Sequence, residues 1–236
     1  MKPITFISLG PGDPDLVTIK GLKALQKADI IFAPSTQRAE GNILSRSKEI
    51  LLALGVHEDK ISLFSVPMSK DRTEAISNYQ AVAQQAMHCQ QKGMHVAITA
   101  EGDGGFYSSA QYINDTLTAN DIPTEKIEGI PAFIACGALA NLHIVKQEEQ
   151  LLVIPGMTTA KDLLENINTG KTIVIMKPSQ CEAAVKELAK TMNTTHFHYF
   201  ENVGIKDKEF YTTENVEIIE RSFPYFSLLI IRKSSK

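Results

Sequence analysis

The sequence predicts an α/β protein of two α/β domains with a cleft between them. Three observations carry that reading. Short apolar β-type runs alternate with segments of helical periodicity along the whole chain. Glycine-rich turns, Gly10-Pro11-Gly12, Gly102-Asp103-Gly104-Gly105 and the turn at Gly129, follow strand-like runs and precede helices. The second half then adds late strands of its own, which places the junction near residues 118–124 and the domains at 1–120 and 121–236.

Taken in order, Ile4 to Leu9 is a buried strand ended by Gly10-Pro11-Gly12, and Leu16, Ile19, Leu22, Ala24 and Leu25 recur at helical spacing. Asp29–Pro34 is a second strand, and Ile43–Leu54 is a helix stopped by Gly55. Between Arg72 and Gln91 the positions Ile76, Tyr79, Val82, Ala83, Ala86 and Met87 trace one helical face, with Asp71 and Glu74 at capping-box spacing. Met94–Thr99 is the next strand, and a helix opens near Phe106. Glu125–Ile127 is a strand, and Phe133, Ile134, Leu139 and Leu142 mark a helix. The second series runs strand Leu151–Ile154, helix Thr158–Ile167, strand Lys171–Met176 and a helix opened by Pro178. Strands near Thr195–Phe200, Glu209–Thr212 and Tyr225–Arg232 close the chain.

Composition excludes several function classes. At 43% hydrophobic and 22% charged the chain is a globular folder. Its formal net charge of -3, without a lysine and arginine cluster, argues against nucleic acid. Cys89, Cys136 and Cys181 lack Cys-x-x-Cys spacing, so they read as free thiols and not as a zinc site or disulfide framework. The N-terminus lacks a secretory pattern and no apolar run reaches the roughly 20 residues that span a bilayer. A cytoplasmic protein with no membrane partner is expected.

In open α/β sheets ligands collect at the carboxyl ends of strands, where glycines let a ligand approach the backbone. Gly10-Pro11-Gly12-Asp13 reads equally as a sharp turn or a ligand loop. It lacks the spacing of a dinucleotide fingerprint, and no phosphate-loop motif occurs in the chain. The glycines of 102–105 exceed what one positive φ angle requires, which favours a ligand loop there.

These residues resemble a known family. Leu9-Gly10-Pro11-Gly12-Asp13-Pro14-Asp15-Leu16-Val17-Thr18, followed by Ala28–Pro34, is similar to the opening signature of the tetrapyrrole methylases. Glu101–Ser109 resembles their Gly-Asp cofactor loop, and Glu128–Phe133 stands where a further family turn falls. Pro67-Met68-Ser69-Lys70-Asp71, Lys177 and Phe223–Ser227 resemble the branch that methylates precorrin-2, or its cobalt form, at C-20. Gly104, Glu128 and Pro131-Ala132 depart from the common family residues.

The resemblance implies a homodimer of two-domain subunits that transfers a methyl group from S-adenosylmethionine to a ring carbon of a tetrapyrrole. The first domain is the tetrapyrrole side, and the second completes the cofactor trough. By the same implication Pro11, Gly102, Asp103, Gly104, Phe106, Ala132, Phe133 and Met176 surround the cofactor. Loss of a proton after methylation makes Asp13, Glu101, Tyr107 and Glu201 candidates for a general base, each of which reads otherwise as a capping or solvated side chain. The substrate's carboxylates call for cations, and Lys20, Arg38, Lys70 and Lys177, with Arg46 and Arg72, are of the right type. His196 and His198 alternate on a strand without a third ligand, so no protein-bound metal is expected; any cobalt arrives inside the substrate. The alternatives are a family transferase with another target and a non-catalytic member of the fold.

Overall fold

The computed structural model describes residues 2–37, 43–66, 73–192 and 194–233. The chain divides into two units, 1–131 and 132–236, each with its own sheet.

In the first unit five parallel strands lie in the order β4-β2-β5-β1-β6, with β1 Ile4–Ser8, β2 Ile30–Gln37, β4 Ile61–Ser65, β5 Val96–Ala100 and β6 Thr124–Ile127. A two-residue strand, β3 Ile43–Leu44, pairs antiparallel with the end of β2. Helices α1 Ile19–Lys27, α2 Arg46–Ala53, α3 Thr73–Gln91 and α4 Ala110–Ala119 connect them. Both faces of this sheet are covered. Ile4, Phe6, Phe32, Val96 and Ile98 pack with Tyr79, Val82, Ala83 and Ala86 of α3 and Ile113 and Leu117 of α4. Ile7, Leu9, Ile31, Ala33 and Ala97 pack on the other face with Leu25 of α1 and Ile50 and Leu51 of α2. A strand buried on both sides has little polar face to display, which is why apolar residues dominate β1 and the first half of β2, Ile30–Ala33.

The second unit holds α5 Ala132–Leu139, β7 Leu151–Ile154, α6 Ala160–Asn168, β8 Thr172–Ile175, α7 Glu182–Thr191, β9 Thr195–Glu201, β10 Phe210–Thr212, α8 Asn215–Glu220 and β11 Ser227–Lys233. Its sheet runs β10-β9-β11-β8-β7, parallel only between β7 and β8. One face is a single core in which Ile173, Ile175, Phe197, Tyr199, Leu229 and Ile231 meet Leu163 and Ile167 of α6, Val185 and Leu188 of α7 and Ile218 of α8. Among the described residues no helix is long and apolar enough to cross a membrane.

The structure corrects several sequence readings. Strand β6 lies past the expected junction at 118–124, yet it pairs with β1 and belongs to the first unit, which ends at Pro131. The helix expected from Ile43 begins at Arg46, because Ser45 adopts an extended conformation and its hydroxyl accepts the Lys48 N–H at 3.0 Å as an N-cap. The helix opened near Phe106 begins at Ala110, and Pro178 starts a single 3-10 turn before α7. Strand β4 and helix α8 were not expected.

Candidate functional site

Three glycine loops leave the carboxyl ends of β5, β1 and β6, which are neighbours in the first sheet with β1 in the middle. The register Ser8↔Ala100 and Ile7↔Ile127 brings the three strand ends level. Beyond β1 and β5 the chains turn into an antiparallel bridge: Gly10 N–H donates to Gly102 O at 3.1 Å, and Gly102 N–H donates to Gly10 O at 2.7 Å. Both glycines need the left-handed region, with φ of +71° and +67°.

The third loop is tied in by a side chain. Asp103 Oδ1 accepts the Gly105 N–H at 2.9 Å, and Oδ2 accepts the Gly129 N–H, from the loop after β6, at 2.8 Å. Gly104 N–H donates to the Ser8 hydroxyl at 2.9 Å. Gly129 is packed so tightly that a Cβ there would lie 2.4 Å from Ser8 Cβ and 2.5 Å from Gly102 O. At Gly102, by contrast, a Cβ would meet nothing within 4 Å, so this stretch of main chain borders open space.

Of the residues expected around a cofactor, Pro11, Gly102, Asp103, Gly104 and Phe106 are thus brought together by these loops. Phe106 N–H donates to Asp103 O at 3.1 Å, and its ring meets that of Tyr107 edge-on with centroids 4.7 Å apart. Tyr107 is exposed and holds φ +50°, uncommon for a residue with a side chain. In the second unit Ala132 opens α5 and Phe133 is buried in it, while Met176 directly follows β8, its N–H donating to Ile154 O at 2.9 Å.

The four proton-acceptor candidates separate. Asp13 Oδ1 accepts the Asp15 N–H at 2.9 Å and caps a 3-10 turn. Glu201 is engaged at both oxygens: Tyr199 Oη donates to Oε1 at 2.9 Å, and Arg221 donates to Oε1 from Nε at 2.9 Å and to Oε2 from Nη2 at 3.2 Å. Its carboxylate is a structural partner at the end of β9, where a forked guanidinium and a phenol take three of its roughly four acceptor positions.

Glu101, directly after β5, faces the first turn of α2, where the Ser47 hydroxyl is 3.5 Å from its Oε1. Burial pushes its carboxyl up from the usual carboxylate range, opposed by the positive charge of Arg46 and hydrogen bonding from Ser47, and assisted by Glu49. Burial likewise weakens the charged form of Arg46.

Of the cations, Lys20 in the first turn of α1 reaches Glu128 at 3.4 Å, both side chains exposed. Lys177 Nζ lies 5.2 Å from the centre of the Tyr225 ring. Arg38, Lys70 and Arg72, with the whole segment 67–71, lie outside the described residues. His198 is not an isolated strand residue: its Nδ1 is 2.9 Å from Tyr211 Oη, and the rings are parallel. Among the described residues no three His, Cys, Asp or Glu side chains gather as metal ligands.

Residues 3–218 match the model of a family described as Tetrapyrrole (Corrin/Porphyrin) Methylases. The chain belongs to this family. Among the relatives of this tetrapyrrole methylase, the precorrin-2 C(20)-methyltransferase of Sinorhizobium sp is 29% identical over 230 residues, covering 95% of this chain and 93% of that protein. The probable cobalt-precorrin-2 C(20)-methyltransferase of Methanocaldococcus jannaschii is 29% identical over 177 residues, 75% of this chain and 73% of that one. Among solved structures, a cobalt precorrin-4 methyltransferase superposes with a TM-score of 0.73 at 16% identity, over 98% of this chain and 94% of that chain. The uroporphyrin-III C-methyl transferase of Thermus thermophilus, complexed with S-adenosylhomocysteine, gives 0.68 at 15%, over 98% and 97%. The glycine loops of this tetrapyrrole methylase suit a cofactor gripped through main-chain atoms, because Gly102 leaves its backbone open and Gly104 adds no side chain.

Reading the sequence missed the Asp103 carboxylate as a link between loops, the Ser8 hydroxyl and the steric demand at Gly129. An Asp two residues before a glycine amide is an Asx-turn signal, and Asp103-Gly104-Gly105 carries it. Nothing local announces the bond to Gly129.

Proposed function

We propose that this chain is an S-adenosylmethionine-dependent C-methyltransferase that methylates precorrin-2, or its cobalt form, at C-20. The observation that carries the reading is the likeness to a precorrin-2 C(20)-methyltransferase along nearly the full length of both chains. The open glycine loops supply a fitting cofactor surface.

S-adenosylmethionine, when bound, supplies a methyl group on a positively charged sulfonium. The main chain at Pro11, Gly102, Asp103, Gly104 and Phe106 holds it in the first unit, and Ala132, Phe133 and Met176 are its assigned contacts in the second. The task of the protein is orientation, since bringing reacting atoms to about 3–3.5 Å supplies much of the rate of a displacement. Glu101 accepts the proton that the methylated ring carbon releases. Its support is burial that raises its proton affinity, beside an Arg46 that still favours the charged form. Lys20 and Lys177 pair with substrate carboxylates, as do Arg38 and Lys70. Any cobalt belongs to the substrate, and the active species is a cytoplasmic homodimer.

The test is incubation of the protein with S-adenosylmethionine and freshly prepared precorrin-2 or its cobalt form, following S-adenosylhomocysteine release and product mass. A gain of one methyl, at C-20 by NMR, supports the proposal, and comparing the two substrates gives the metal preference. Cofactor binding without transfer to either moves the target elsewhere in the family. Absence of cofactor binding ends the methyltransferase reading.

A further inference from the structure

The Asp103 carboxylate has two main-chain donors, and they sit on different loops. Gly105 N–H, in the loop after β5, donates to one oxygen at 2.9 Å, and Gly129 N–H, in the loop after β6, donates to the other at 2.8 Å. The strands that carry these loops are not adjacent, because β1 lies between them. The loop after β1 is fastened separately, by the two Gly10–Gly102 hydrogen bonds and by Gly104 N–H donating to Ser8 Oγ. Asp103 is therefore the side chain that spans the middle strand and fixes the outer loop to the inner pair.

We infer that Asp103 is a positioning residue whose carboxylate joins the loops after β5 and β6 into one rigid cofactor-binding surface. Its side chain neither touches the cofactor nor moves a proton. A carboxylate is required because both partners are N–H donors: an amide side chain offers one oxygen and turns its own NH2 against the second donor. The close seat of Gly129 against Ser8 Cβ and Gly102 O gives that hydrogen bond its fixed geometry. The effect on cofactor affinity rests on the proposed function; the joining of the loops does not.

The experiment compares the full-length protein with Asp103→Asn and with Asp103→Glu, which keeps two acceptors on a longer stem. Amide hydrogen exchange is read at individual residues by NMR, and S-adenosylhomocysteine binding by calorimetry. In Asp103→Asn the amide that faces the new NH2, Gly105 or Gly129, should exchange faster by about 10-fold or more, while Gly10 and Gly102 keep wild-type protection. Cofactor Kd should rise by about 10- to 100-fold with kcat at saturating cofactor changed by less than about threefold. Asp103→Glu should recover part of the affinity. If Asp103→Asn does not fold, Asp103→Glu is read alone, with faster exchange at Gly129 than at Gly10 as the expected result. Wild-type exchange at both Gly105 and Gly129 in a folded variant overturns the inference, as does loss of kcat at unchanged Kd. If even the wild type binds no S-adenosylhomocysteine, the proposed function fails while the exchange comparison still decides the role of Asp103.

Discussion

Replacing Gly129 by alanine tests the packing of the three loops most directly. The new Cβ would lie 2.4 Å from Ser8 Cβ and 2.5 Å from Gly102 O, where ordinary contacts begin at 3.4 Å, so the loop must retreat by about 1 Å. Both obstacles are close to or part of the main chain, and neither can rotate away. Overpacking of this kind costs about 1–3 kcal/mol. The retreat also lengthens the Gly129 N–H bond to the Asp103 carboxylate, worth about 1.5–3 kcal/mol when fully lost. Alanine returns about 0.4–1 kcal/mol by restricting the unfolded chain. The net expectation is about 2–4 kcal/mol of lost stability in the first unit, measured by urea unfolding. Two alanines in the neighbouring loop calibrate the result. Gly104→Ala should cost less than about 1 kcal/mol, because its Cβ meets Ala100 Cβ and Ser8 Oγ at an ordinary 3.5 Å. Gly102→Ala has room but must hold φ +67°, a cost of about 1–2 kcal/mol. A Gly129→Ala protein as stable as Gly104→Ala would refute the steric argument.

Other changes follow from the same geometry. Glu101→Gln should lower turnover by about 10²–10⁴-fold and leave S-adenosylhomocysteine affinity intact; wild-type activity should fall on acidification through a limb above the usual carboxylate range, and the variant should lack that limb. Persistence of the limb would exonerate Glu101. Glu201→Gln should reduce stability by about 1–3 kcal/mol, discounted because Arg221 is 36% exposed, with kcat retained; a turnover loss at unchanged stability would restore Glu201 as a base. Burial, with His196 and Arg232 nearby, lowers the His198 pKa to about 4 from 6.5. Between those values the unfolded chain binds the extra proton, so stability declines as pH falls from 6.5 to 4. The His198 share is about 1–2 kcal/mol once discounted for the ring's partial exposure to solvent. His198→Gln should flatten that part of the urea-midpoint profile, and an unchanged slope would count against the assignment.

The first unit was legible wherever a strand is buried on both faces. Ile4–Leu9, apolar but for Thr5 and Ser8, and the unbroken apolar run Ile30–Ala33 are closed by glycine and proline, and both are strands. Strand β4 escaped notice because Ile61-Ser62-Leu63-Phe64-Ser65 is a half-buried edge with a weaker signal. Helix α8 has six residues, too few for a periodicity to register. The glycine loops were legible from composition as turns at strand ends, but the hydrogen bonds that fasten them were not. Asp103 and Gly129 are 26 residues apart, and Glu201 and Arg221 20 apart. Such pairs are set by the order of strands in the sheet, which no local window contains.

The bridge between Gly10 and Gly102 has a consequence for the main-chain donors of these loops. Five loop amides, those of Gly10, Gly102, Gly104, Gly105 and Gly129, donate to acceptors within the protein itself. Glycine loops that grip phosphate do so with amides left pointing outward. Here these five donors are already committed, and an incoming anion gains nothing from them. The Gly10 and Gly102 carbonyls are committed in the same bridge. The same abundance of glycine that elsewhere marks a nucleotide site is spent here, by pairing the loops with one another, on joining strand ends.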